Sequence, residues 1–184
     1  MKKMVSIGIT LALIASVAAA TLAVVNAITA PRIALYEEQV INEALQTVAG
    51  PYRVGEQIES VDEQIIDIYR LVGSDGTSAG YVVQLLGVGY GGEMTMMVSY
   101  LQDGEVLDAR LLANSETPGL GKKAENATYM EKFIKTGAAL KVPQSKGELS
   151  KEASDSISGA TVTFSGVAKT IAYGSDFVKS LGGK

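Results

Sequence analysis

Glu93-Met94-Thr95-Met96-Met97-Val98-Ser99-Tyr100-Leu101 is followed, across Gln102-Asp103-Gly104-Glu105, by Val106-Leu107-Asp108-Ala109-Arg110-Leu111-Leu112-Ala113-Asn114. Both runs have the length and composition of β-strands, and the Asp-Gly between them is the chemistry of a tight antiparallel connection. In the first run Met94, Met96, Val98 and Tyr100 alternate with Thr95, Met97, Ser99 and Leu101. One face is the more apolar, and both are apolar enough to be covered. Two further β-type runs precede this pair, at 65–72 and 79–86, set apart by Gly73-Ser74-Asp75-Gly76 and Gly91-Gly92. After Glu116 the texture changes to helix and loop. A short helix is predicted around 127–135 and a loop through 143–147. A last helix starts near Thr161 or Val162. Phe164, Val167, Ala168, Ile171, Ala172, Val178 and Leu181 give that helix an apolar stripe of helical period, with Gly174 placed to interrupt it. The expected domain is α+β, an antiparallel sheet flanked by helices.

Working toward the N-terminus, residues 4–31 carry no charge and are dominated by Ile, Leu, Val and Ala. A spanning helix needs about 20 apolar residues, so the run is long enough to cross a bilayer with room for tilt. Lys2 and Lys3 precede it, which by the positive-inside rule puts the N-terminus in the cytoplasm and everything after Arg32 outside. A cleaved signal peptide is the competing reading, since Ala18-Ala19-Ala20 and Val25-Asn26-Ala27 offer small-residue cleavage patterns. The apolar run continues well past the first alanine cluster, which favours an uncleaved anchor. Pro31 is expected to end the span or bend it. Ile33, Val40, Ile41, Ala44, Leu45 and Val48 then mark a juxtamembrane amphipathic helix, ended by Gly50-Pro51. The expected organisation is an anchor at 1–30, a juxtamembrane helix at 31–50 and one extracytoplasmic domain at 51–184.

Composition narrows the chemistry. The chain of 184 residues contains neither cysteine nor histidine. Iron–sulfur thiolates, the usual zinc sites, a histidine base and an axial haem imidazole are all removed, so redox chemistry here requires an organic cofactor. There are 20 acidic residues against 16 basic ones, two of which precede the anchor. A nucleic acid partner is not expected, because a phosphate-tracking surface needs a basic excess or patch.

Three segments can carry chemistry. Ser115-Glu116-Thr117-Pro118-Gly119-Leu120-Gly121-Lys122-Lys123 follows a strand. Its Pro-Gly is ordinary turn vocabulary, yet Gly119 and Gly121 also let a flat or anionic group approach the main chain, with Lys122 or Lys123 to offset charge. Gly87-Val88-Gly89-Tyr90-Gly91-Gly92 reads either as a bulged hairpin or as a strand end whose Tyr90 stacks on an aromatic ring. Asp155-Ser156-Ile157-Ser158-Gly159-Ala160-Thr161, followed by Val162-Thr163, concentrates hydroxyls where a helix begins. Ser158 or Thr161 as an N-cap is the plain reading, and a phosphate seated on the free amides of the helix start is the other. Capping leaves the small Gly159-Ala160 pair unexplained.

The last segment resembles the Asp-x-x-Ser/Thr-Gly-Ala-Thr flavinylation motif of the FMN-binding domain family. Gly89-Tyr90-Gly91-Gly92 and Ser115-Glu116-Thr117-Pro118-Gly119-Leu120-Gly121 look like its two other recurrent segments, in the expected order. With one span and a small outer domain, the chain is similar to the G subunits of Rnf ferredoxin:NAD oxidoreductase complexes, relatives of the C subunit of the sodium-translocating NADH:quinone reductase. The resemblance implies FMN joined by its phosphate, through a flavin transferase, as a phosphoester on Thr161. It also implies cofactor contacts from Ser158, Gly159, Ala160, Glu116, Thr117, Gly119, Leu120, Gly121, Lys122 and Tyr90. The implied role is a redox subunit that relays electrons among the other membrane subunits of an Rnf complex and is not catalytic alone. No residue is assigned as a catalytic acid or base, and no metal is expected. NADH and ferredoxin belong to the cytoplasmic side and are not expected on this subunit. A membrane-anchored FMN-binding or sensing module without a relay role is the alternative.

Overall fold

The computed structural model describes residues 2–60 and 62–182; Met1, Val61, Gly183 and Lys184 lie outside the described residues. The chain divides into two compact units, Met1–Ile41 and Asn42–Lys184.

The first unit is most of helix α1, Lys2–Ala49. Its most apolar 18-residue window has a mean hydropathy of 2.3, and the helix is long and apolar enough to cross a membrane. The hydroxyls of Thr10, Ser16, Thr21 and Thr29 each donate to the carbonyl four residues earlier, at 2.8–3.0 Å. Each is thereby satisfied within the helix, which is what hydrocarbon surroundings require. The expected end or bend at Pro31 is not an end: α1 runs through Pro31 without a break. Proline removes one amide donor, and the helix-forming sequence on both sides carries the turn across that gap.

The second unit begins with the last turns of α1 and continues as a five-stranded antiparallel meander in the order β1-β2-β3-β4-β5. The strands are β1 Arg53–Ile58, β2 Ile65–Val72, β3 Ser78–Val88, β4 Glu93–Leu101 and β5 Val106–Asn114. The α+β expectation and its four strand runs hold, with β3 reaching further at both ends. β1 carries little apolar signal because it is a half-exposed edge strand, paired only with β2 and bulged between Val54 and Gln57. The alternation in β4 places Met96 and Val98 beside Leu85, Val83 and Ala109 on the main core face. Val82 and Met97 lie on the other face, and both faces are buried. Among the described residues, the other buried apolar residues outside the main core cluster are Ala160, Leu71 and, at the end of α1, Ala44, Leu45, Val48 and Ala49.

On the main face lies helix α4, Thr161–Gly182, whose stripe of Phe164, Val167, Ala168, Ile171 and Val178 is fully buried. Gly174 does not interrupt it. A side chain there would collide with Tyr100, whose hydroxyl donates to the Ile171 carbonyl at 2.9 Å. Gly166 plays the same part nearer the helix start, where a Cβ would strike the carbonyl of Val88 in β3. The helix expected at 127–135 shrinks to α2, Ala127–Met130, preceded by a 3-10 turn at Gly121–Glu125. A further short helix, α3 Lys151–Ser156, was hidden by its polar composition; Ser150 caps it by accepting from the Ala153 amide at 3.3 Å.

Candidate functional site

The three glycine- and hydroxyl-rich segments meet at one cavity of about 410 Å³, lined by Tyr90, Glu116, Thr117, Leu120, Gly121, Gly159, Ala160, Thr161, Val162 and Thr163. Its size lies in the range of small-ligand sites, about 300–1,000 Å³. The sheet explains the convergence. β3 ends at Val88 and β5 at Asn114, on either side of β4, so the β3–β4 turn and the segment after β5 emerge at one end of the sheet. The start of α4 is delivered to the same end by the contact of Gly166 with Val88.

Gly159, at φ +83°, turns the chain sharply between α3 and α4, a conformation that favours glycine. The Ala160 amide donates to the Ile157 carbonyl at 3.0 Å, and the Ala160 carbonyl accepts from Phe164 at 2.9 Å. Ala160 is therefore the N-cap, which corrects the capping role expected of Ser158 or Thr161. The turn at Gly159 carries Ser158 out of reach, and its hydroxyl instead accepts from Lys146 Nζ at 3.0 Å. Among the described residues, none accepts from the amides of Thr161, Val162 or Thr163. A helix start with free amides and no competing side-chain cap suits an anionic group.

The two threonines at this start differ sharply. Thr161 is exposed at the cavity. Thr163 is 1% exposed, and its hydroxyl donates to Glu116 Oε2 at 2.8 Å. Glu116 is itself 4% exposed, and its Oε1 accepts from the Gly91 amide at 3.1 Å. One carboxylate thus ties the β3–β4 turn, the post-β5 segment and α4 together. A Cβ at Gly89 or Gly121 would collide with one or other of its oxygens, so these two glycines make room for the acid. Gly119, by contrast, faces open space.

Of the residues expected at the site, Thr161, Gly159, Ala160, Glu116, Thr117, Leu120, Gly121 and Tyr90 line the cavity, while Ser158, Gly119 and Lys122 do not. Lys122 is turned to Glu125 at 3.4 Å. Tyr90 stands at the rim, 73% exposed, in a turn closed by the Gly89 amide donating to the Gly92 carbonyl at 2.8 Å. Sequence reasoning missed Val162 as a wall and Thr163 as the partner of Glu116. An acid set among glycines was the available signal.

Asn114 fastens the post-β5 segment. Its Oδ1 accepts from the Glu116 amide at 3.0 Å and its Nδ2 donates to Glu125 at 2.9 Å. The Glu125 carboxyl is held below the ordinary carboxylate range, first by this amide and then, against a little burial, by Lys122. A lowered pKa contributes stability above the ordinary value of 4.5 that disappears as pH falls through the lowered one. Asn114→Ala is expected to cost about 1 kcal/mol and to flatten the acid side of the stability profile. Denaturant unfolding of the two proteins across pH 3–7 measures both effects.

Residues 89–175 match the FMN-binding domain, and residues 1–48 match the RnfG N-terminal region. The chain is similar to the G subunit of an ion-translocating oxidoreductase complex of Cereibacter sphaeroides, 33% identical over 122 residues. That alignment takes in 64% of this chain and 54% of the relative, about half its length. It is similar along nearly all its length to the protein of the same name from Methanosarcina acetivorans, 25% identical over 97% of this chain and 96% of the relative. The G subunit of a proton-translocating ferredoxin:NAD(+) oxidoreductase complex of Clostridium ljungdahlii is 29% identical over 82% of this chain and 78% of its own length.

Proposed function

The chain belongs to the FMN-binding domain family, and from that premise we propose that it is the flavin-bearing electron-relay subunit of a membrane-bound, ion-translocating ferredoxin:NAD oxidoreductase of the Rnf type. FMN is carried as a phosphoester on Thr161, placed there by a flavin transferase. The observation that carries this reading is the cavity in which all three family segments meet, with Thr161 the exposed hydroxyl at the start of α4 and Thr163 already engaged. The residues fit the group. The free amides at the start of α4 receive the phosphate, Gly159 and Ala160 leave room beside it, and the exposed Tyr90, Leu120 and Val162 offer apolar surface to a ring.

Bound flavin supplies one- and two-electron transfer, and the polypeptide binds it, orients it and sets its surroundings. A covalent link keeps the cofactor at a fixed local concentration on the extracytoplasmic side, where lost flavin is not recovered. The N-terminus is cytoplasmic and the neighbouring subunits of the complex are the electron partners. The test is electron flow in membranes that contain the assembled complex. Replacing this subunit by a form without flavin abolishes ferredoxin-dependent NAD reduction if the chain is a relay. Undiminished reduction overturns the relay and leaves a sensing module.

A further inference from the structure

Burying an acid without a cation is unfavourable, and proteins usually pair it or leave it in water. Glu116 does neither. Its two oxygens accept from an amide and a hydroxyl, both neutral. Among the described residues the ion pairs are Arg70–Glu56, Arg110–Asp108, Lys122–Glu125 and Lys179–Asp176, and none involves Glu116. Among the described residues, no lysine or arginine lines the cavity. The neighbouring Tyr129 hydroxyl, pushed up chiefly by burial and further by Glu116, has no hydrogen-bond partner among the described residues. A glutamine has the same shape and could serve both the Gly91 amide and the Thr163 hydroxyl. Hydrogen bonding alone therefore does not account for an acid here.

We propose that Glu116 is a potential-setting residue, whose fixed negative charge in the cavity wall lowers the reduction potential of the flavin held there. The inference rests on the flavin reading above. Reduction by two electrons with uptake of one proton adds one negative charge to the ring system. That charge is less favourable beside an unneutralised carboxylate in a wall of low polarity than in water. The reduced form is destabilised relative to the oxidised one, and the potential falls.

The full chain, co-expressed with a flavin transferase and purified in detergent, is titrated with dithionite as the electron source against a reference dye. Free FMN is titrated in the same buffer. The wild-type potential is expected below that of free FMN. Glu116→Gln is expected to raise the equilibrium constant for reduction at least tenfold, about 30 mV for a two-electron couple. Glu116→Asp keeps the charge and stays within about threefold of wild type, about half that shift in millivolts. A flavin-bearing Glu116→Gln protein that titrates with wild type overturns the proposal. A wild-type potential at or above that of free FMN also overturns it, and that comparison decides the matter if the glutamine variant does not fold. Wild-type protein without covalent flavin overturns the flavin reading itself, and the proposal with it.

Discussion

Thr161→Ala is expected to remove all flavin fluorescence from the protein band on a denaturing gel, when the full chain is co-expressed with a flavin transferase. The loss is complete rather than partial because no neighbouring hydroxyl can substitute. Thr163 is buried, with its hydroxyl committed to Glu116. Ser158 lies outside the cavity and receives Lys146. Thr117 lines the same cavity but belongs to the segment after β5, not to the helix start whose amides are free. The control is Thr163→Ala, which leaves Glu116 with one donor and costs about 1–3 kcal/mol but keeps the fluorescent band. Persistence of the band in Thr161→Ala together with its loss in Thr163→Ala reassigns the tether to the buried residue and refutes the arrangement described for α4.

The largest loss of stability is expected at Phe164. Its ring is fully buried in the first turn of α4, stacked on Phe133 at 5.3 Å between centroids and set edge-on to Tyr129 at 6.4 Å. Phe164→Ala removes the aromatic that joins the start of α4 to the segment after β5, and large-to-small changes of this kind cost about 3–5 kcal/mol. Denaturant unfolding of the full chain in detergent measures the loss. The same variant is expected to carry less flavin, because the cavity it opens lies beside the turn that presents Thr161. A cost below about 1 kcal/mol would mean that α4 does not dock through this residue.

Period-two runs and a helical stripe made most of the sheet and α4 legible, because each of those elements buries a face and writes that burial into its spacing. β1 and α3 escaped for the converse reason: one is a half-exposed edge and the other a polar turn and a half. At the site, the meeting of three segments separated by up to some seventy residues was legible through family resemblance, and the role of each side chain was not. Gly121 reads as an opening for a ligand, and besides lining the cavity it leaves the space that Glu116 occupies. Ser158 reads as a cap, yet one residue in a left-handed conformation moves the cap to Ala160. Lys122 reads as a counter-charge to phosphate but turns to Glu125. Spacing along the chain says which groups arrive together. It does not say which of them are spent on one another.

The contact between Gly166 and the Val88 carbonyl has a consequence for electron transfer. Helix and strand meet there main chain to main chain, with no side chain between them to change rotamer, which fixes the start of α4 against the end of β3. Thr161, the proposed attachment point, precedes that contact by five residues. For the flavin proposed at Thr161, that anchoring would keep the protein's own share of the reorganisation energy small.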